Sequence, residues 1–98
     1  MSLQIGKSTY VSEQRTLFIK NKEKIKLTPR EAALFEFLLE HKNDIVTREA
    51  VLQDIWAKTD YFAGRSMDVY INRLRNLLKQ DDSITIHSIR SLGYRLEG

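Results

Sequence analysis

The chain has no cysteine, one proline, four glycines and one tryptophan in 98 residues. Without cysteine there is neither a disulfide framework nor a thiolate site, a composition compatible with the cytoplasm, which is the expected localisation. No apolar run approaches the roughly 20 residues that a membrane span needs, and no membrane contact is expected. The opening Met1-Ser2-Leu3-Gln4 lacks the basic and apolar regions of a signal peptide. The two histidines, His41 and His87, stand far apart and do not make a metal-ligand pair. No glycine-rich phosphate loop, activated serine or His/Asp constellation is visible. The expectation is therefore no enzyme, no catalytic residue, no cofactor and no bound metal.

What is present is 42% hydrophobic and 30% charged residues, the balance of a globular protein large enough for one modest core. The net charge of +3 is mild, but it is unevenly spread. Residues 1–27 hold six Lys/Arg against two Glu, residues 28–64 four against seven acidic groups, and residues 65–98 six against four. Basic flanks around an acidic middle can present different surfaces to different partners. A local basic surface is enough to supply the phosphate-binding contribution to DNA affinity.

The first 27 residues alternate short β-type runs with turn residues: Leu3-Gln4-Ile5, Tyr10-Val11, Leu17-Phe18-Ile19, then Ile25 and Leu27 alternating with Lys. This predicts a meander of four short antiparallel strands, which needs a helix against one face to be stable. Lys20, Lys22, Lys24 and Lys26 read as a solvated hairpin. Thr28-Pro29-Arg30-Glu31 predicts a helix start, with Thr as cap, Pro at the first position and Glu completing a capping box. That helix should run to about His41, with Asn43-Asp44 breaking it. Ile45-Val46 reads as a short extended piece, and Thr47 as the cap of a second helix through Trp56. Lys58 to Gly64 reads as a loop, followed by a helix over 65–79. Ile84 to Ile89, the turn Ser91-Leu92-Gly93 and Tyr94-Arg95-Leu96 close the chain as a hairpin. Three short helices followed by a hairpin is the layout of a winged helix-turn-helix.

The helix over 65–79 has two unlike faces. Met67, Ile71, Leu74 and Leu78 recur at helical spacing and should face the core. Arg65, Val69, Asn72, Arg73 and Asn76 fall opposite. Arginine can bond guanine O6/N7, asparagine adenine N6/N7, and valine can touch a thymine methyl in a DNA major groove. The plainer reading is a surface helix with a solvated outer face.

Four motifs, L-T-P-R-E at 27–31, V-T-R-E-A-V-L-Q-D-I-W at 46–56, R-S-M-D-V-Y-I-N-R-L-R at 65–75 and H-S-I-R-S-L-G-Y-R-L at 87–96, occur in order. Together they resemble the DNA-binding effector domain of OmpR/PhoB-type response regulators, over essentially the whole chain. The resemblance implies an α+β winged helix-turn-helix: a four-stranded antiparallel sheet (1–27), a three-helix bundle (28–79) and a hairpin wing (84–96) in one domain, 1–98. It implies sequence-specific binding of double-stranded DNA, with the third helix in the major groove and the wing in the adjacent minor groove. By position, Arg73 resembles the base-contacting arginine and Val69 the residue that meets a thymine methyl. Arg65, Tyr70, Asn72 and Arg75 match positions contacting phosphates or bases, and Trp56 one lying against the backbone. Ser88 and Arg90 match wing residues, Arg90 the one entering the minor groove. Thr47 and Arg48, at a helix start, are candidate phosphate contacts on physical grounds.

The same resemblance implies a receiver domain, absent from these 98 residues, that a sensor kinase phosphorylates. It implies dimers on direct-repeat DNA, an isolated domain that is monomeric, and an RNA polymerase contact in the loop Lys58, Thr59, Asp60, Tyr61 and Phe62. Two departures stand out. Ser91 occupies the place of a wing glycine and would be strained if that position needs positive φ. Asn72 stands where many relatives are basic. Other roles stay open for several residues: an ion pair with an acidic neighbour for Arg75, structural pairing with an Arg for Asp68, marginal core for Val69, packing of the ring for Tyr70, and chiefly core for Trp56. Two alternative functions also stay open, a winged-helix protein-interaction module and the DNA-binding domain of a membrane-anchored one-component regulator.

Overall fold

The computed structural model describes residues 1–98. β1 (Ser2–Ile5), β2 (Ser8–Val11), β3 (Thr16–Ile19) and β4 (Glu23–Lys26) form an antiparallel meander in sequential order. Lys20 and Asn21 both have positive φ, 52° and 58°, and Lys22 N–H donates to the Ile19 carbonyl at 2.9 Å. Paired left-handed residues make a tight turn whose twist matches that of the flanking strands. All four lysines of this hairpin are exposed.

α1 (Pro29–Glu40) covers the sheet. Its capping box is complete: Thr28 Oγ1 accepts from Glu31 N–H and Glu31 Oε1 accepts from Thr28 N–H. Leu34, Phe35 and Leu38 are buried with Ile5, Tyr10, Leu17 and Ile19 of the strands. The Tyr10 ring meets Phe35 edge-on at 5.1 Å, and its hydroxyl donates to Glu36 at 2.5 Å. Burial, with the Glu36 carboxylate adding to it, pushes that phenol up.

β5 (Val46–Thr47) leads into α2 (Arg48–Val51), which Thr47 caps through Ala50 N–H. The helix widens into a π-helical turn, Leu52–Trp56, and stops at Ala57, left-handed at φ 56°. α3 (Tyr61–Leu78) follows, then β6 (Thr85–Ile89) and β7 (Gly93–Glu97). Met67, Ile71, Leu74 and Leu78 are buried, the stripe expected from their spacing. They belong to one cluster of 21 buried apolar residues spanning sheet, helices and wing.

Two sequence expectations need correction. α3 begins at Tyr61, not Arg65, because Asp60 caps it: its carboxylate accepts from Ala63 N–H at 2.8 Å. Gly64, the expected end of a loop, lies inside the helix. A Cβ there would come within 3.3 Å of Arg48 Nη2, so the glycine makes room for a side chain. Tyr61 and Phe62 consequently lie on the first turn of α3, while Lys58, Thr59 and Asp60 form the connection. Second, the wing is not a lone hairpin. β5 pairs with β7, giving a three-stranded sheet in the order β5-β7-β6.

Ser91 has φ 66° at the wing turn, where Leu92 N–H donates to the Ile89 carbonyl at 3.0 Å. The left-handed conformation costs an L-residue roughly 1–2 kcal/mol, against roughly 0.5–1 kcal/mol of extra unfolded-chain entropy for glycine. Ser91→Gly is therefore expected to stabilise the domain by about 0.5 kcal/mol and raise its melting temperature by about 3 °C. An unchanged or lower melting temperature would show that the serine is not strained there.

Candidate nucleic-acid interface

α3 presents Arg65, Val69, Asn72, Arg73 and Asn76 along one continuous outward face, all exposed. Val69 is 51% exposed, so it is not marginal core. An exposed valine between arginines and asparagines offers an apolar contact flanked by hydrogen-bond donors, the combination that reads base edges. Ser88 and Arg90 are exposed on β6 and the wing turn, and Thr47 at the start of α2.

Other expected contact residues are engaged within the protein. Arg75 donates through Nε (3.1 Å) and Nη2 (2.8 Å) to the Ile86 carbonyl and through Nη2 to Ser88 Oγ at 2.7 Å. It ties α3 to β6 through a backbone carbonyl rather than an acidic neighbour, and it fixes the wing relative to α3. Arg48 Nη1 donates at 2.8 Å to both Asp68 Oδ1 and the Tyr94 hydroxyl, and that hydroxyl donates to Asp68 at 3.1 Å. Asp68 is thus the structural partner of an arginine, and the trio joins α2, α3 and β7. The hydrogen bond to Asp68 holds the Arg48 guanidinium firmly charged. Burial pushes the Tyr94 phenol up, against the opposing Arg48 charge.

Trp56 is half-buried, and its indole N–H donates to Ser66 Oγ at 3.1 Å, so that donor serves α2–α3 packing. Its ring meets Tyr70 edge-on at 5.9 Å. The Arg73 guanidinium carbon lies 4.8 Å above the Tyr70 ring, and that of Arg30 lies 4.8 Å above the Trp56 ring. Tyr70 therefore acts as a platform that restricts the rotamers of Arg73, a cation–π contact of about 0.5–1 kcal/mol at such an exposed site. Arg30, Ser66 and Tyr94 escaped the sequence reading. All three lie within the motifs quoted above, Arg30 in L-T-P-R-E as part of a cap, but none of those motifs shows the contact that the residue makes.

A meander, three helices and a wing sheet with an exposed polar face on the third helix define a winged helix-turn-helix domain. Residues 21–96 match the family described as "Transcriptional regulatory protein, C terminal", and the chain belongs to that family. It is 45% identical over 93 residues to the transcriptional regulatory protein RprY of Bacteroides fragilis, covering 95% of this chain and 39% of that protein. The chain thus spans about two fifths of that relative. Among solved structures it is similar to the Klebsiella pneumoniae RstA DNA-binding domain in complex with the RstA box (TM-score 0.82, 25% identity, 98% of this chain and 96% of that one). It is also similar to the Thermotoga maritima response regulator DrrB, described as an OmpR/PhoB homologue (TM-score 0.82, 28% identity, 99% of this chain and 44% of that one).

Proposed function

We propose that this chain is the sequence-specific DNA-binding domain of a two-component transcription regulator, with α3 in the major groove and Arg90 of the wing in the minor groove. The observation that carries the reading is the exposed row Arg65, Val69, Asn72, Arg73 and Asn76 on a helix whose other face is wholly buried. Arg73 and Val69 are the base-reading pair, Arg65, Asn72 and Asn76 extend the contact, and Thr47, Ser88 and Tyr70 offer hydroxyls to phosphates. Arg48, Arg75 and Trp56 serve by positioning these groups. No catalytic role is proposed, and a cytoplasmic location follows from the proposed function.

The remaining partners extend the proposal: a phosphorylatable receiver with its sensor kinase, dimers on direct-repeat sites, and RNA polymerase. A protein contact near the α2–α3 corner is supported by Tyr61 and Phe62, which are 70% and 80% exposed and stack edge-on on each other at 5.6 Å. Lys58, Thr59 and Asp60 adjoin them.

The test is selection of bound duplexes from a random pool, followed by affinity measurement on the selected site. Arg73→Ala is expected to lower affinity about 10- to 100-fold and relax preference at one base pair. Arg90→Ala should weaken binding most where the flanking minor groove is narrow and A·T-rich. Undiminished binding in both variants would remove this interface assignment, and absence of duplex binding at low salt would remove the function.

A further inference from the structure

An open groove beside α3 is lined by Arg30, Trp56, Lys58, Asp60, Ser66 and Tyr70. Arg30 comes from the first turn of α1, a helix whose main work is covering the N-terminal sheet. Its side chain nevertheless turns away from that sheet and stacks on Trp56, 4.8 Å from the ring centroid. Trp56 in turn touches Tyr70, and Tyr70 carries Arg73. Arg30, Trp56, Tyr70 and Arg73 therefore form one ladder of alternating cations and rings that starts on α1 and ends on the base-reading face of α3.

The groove at the foot of this ladder suits an anion. Arg30 and Lys58 contribute two positive charges. The one carboxylate present, Asp60, is directed to the cap of α3 through Ala63 N–H and leaves the groove with one net positive charge. The Ser66 hydroxyl accepts the Trp56 indole N–H and keeps its own proton to donate. A guanidinium held over an aromatic face, as Arg30 is over Trp56, keeps hydrogen-bond donors in a planar fork that matches a phosphate. Stacking also removes rotamer freedom before binding, so less is lost when the phosphate arrives.

The geometry points to Arg30, assisted by Lys58, as a contact for a DNA backbone phosphate flanking the segment read by α3. The site would extend the duplex footprint from α3 across α2 to α1. This rests on the DNA-binding reading above. The ligand is the phosphodiester, so the contact is blind to sequence and is read through salt dependence.

The experiment measures affinity of the whole chain for its selected duplex between 50 and 200 mM salt, comparing wild type with Arg30→Gln, Arg30→Lys and Arg73→Ala. Losing one phosphate contact lowers the slope of log K against log salt by about 0.9, so the wild-type advantage over Arg30→Gln should shrink roughly 3.5-fold across that range. The weakening should be equal on matched and mismatched duplexes. Arg30→Lys keeps the charge and should restore the slope even though its stack on Trp56 is weaker. Thermal melts of the variants separate this from a packing effect, because lost packing shifts the melting temperature without changing the slope. An unchanged slope in Arg30→Gln, while Arg73→Ala still relaxes preference at its base pair, overturns the Arg30 contact and leaves the DNA reading standing. No duplex binding by the wild type overturns both.

Discussion

Gly93→Ala is expected to destabilise the domain by about 3 kcal/mol and to detach the wing from the second helix. A Cβ on Gly93 would lie 1.9 Å from the Val46 carbonyl oxygen and 2.8 Å from Thr47 Cα. Both are backbone atoms, which cannot swing aside as a side chain can. The strand pair Val46↔Tyr94 and Thr47↔Gly93 must then open. The neighbouring bond from Arg48 N–H to the Leu92 carbonyl, 3.1 Å, is lost with it. The reduced unfolded-chain entropy of alanine returns only about 0.4–1 kcal/mol. Urea unfolding gives the stability change, and duplex affinity should fall as well, because Thr47 and the wing are held to each other at this point. A Gly93→Ala variant as stable as the wild type would mean that β5 is not pinned to β7 by this close approach.

The second large effect is expected at Asp81. Its side chain is fully buried just beyond α3. Oδ2 accepts from Ser8 Oγ at 2.6 Å and Lys7 N–H at 2.9 Å, and Oδ1 accepts from Ser83 N–H at 3.1 Å and Ser83 Oγ at 2.5 Å. Ser8 Oγ in turn accepts from Lys20 N–H at 2.9 Å. One carboxylate thus locks two turns of the N-terminal sheet to the end of α3 and the start of the wing. Asp81→Ala strands these donors and should cost about 3 kcal/mol, or about 15 °C in melting temperature.

Burial alone would raise the pKa of Asp81, but the bonds from Ser8, Ser83 and Lys7 outweigh it and hold the carboxyl below the usual carboxylate range. A depressed folded-state pKa gives stability that is fully present above the unfolded value of about 3.9 and is lost as pH falls through the folded value. Acid unfolding should therefore steepen below about pH 4 in the wild type, and Asp81→Asn should flatten that limb. Identical acid profiles for the two proteins would contradict the assigned role.

Much of this was legible along the chain because the relevant signals are local. The Thr28 capping box, the Thr47 cap and the stripe of Met67, Ile71, Leu74 and Leu78 depend on spacings within one helix, and each stands where the spacing puts it. The start of α3 differs from the sequence expectation because its cap, Asp60, lies within a run that reads as a loop. The close approach of Gly64 to the Arg48 guanidinium joins residues 16 apart in sequence. The interface divides in the same way. That Arg65, Val69, Asn72, Arg73 and Asn76 share a face follows from 3.6 residues per turn. That Arg48 and Arg75 are engaged by Tyr94, Asp68 and Ile86 does not.

The sequence by itself determined the order of elements, the apolar side of α3 and the cations and amides on its other side, since periodicity and capping act over a few residues. Only the tertiary structure decided which arginines are available. It also stacked Arg30 on Trp56, buried Asp81 beneath Ser8 and brought β5 against Gly93. Each of these joins residues distant in sequence, and no local pattern encodes which distant partner a side chain meets.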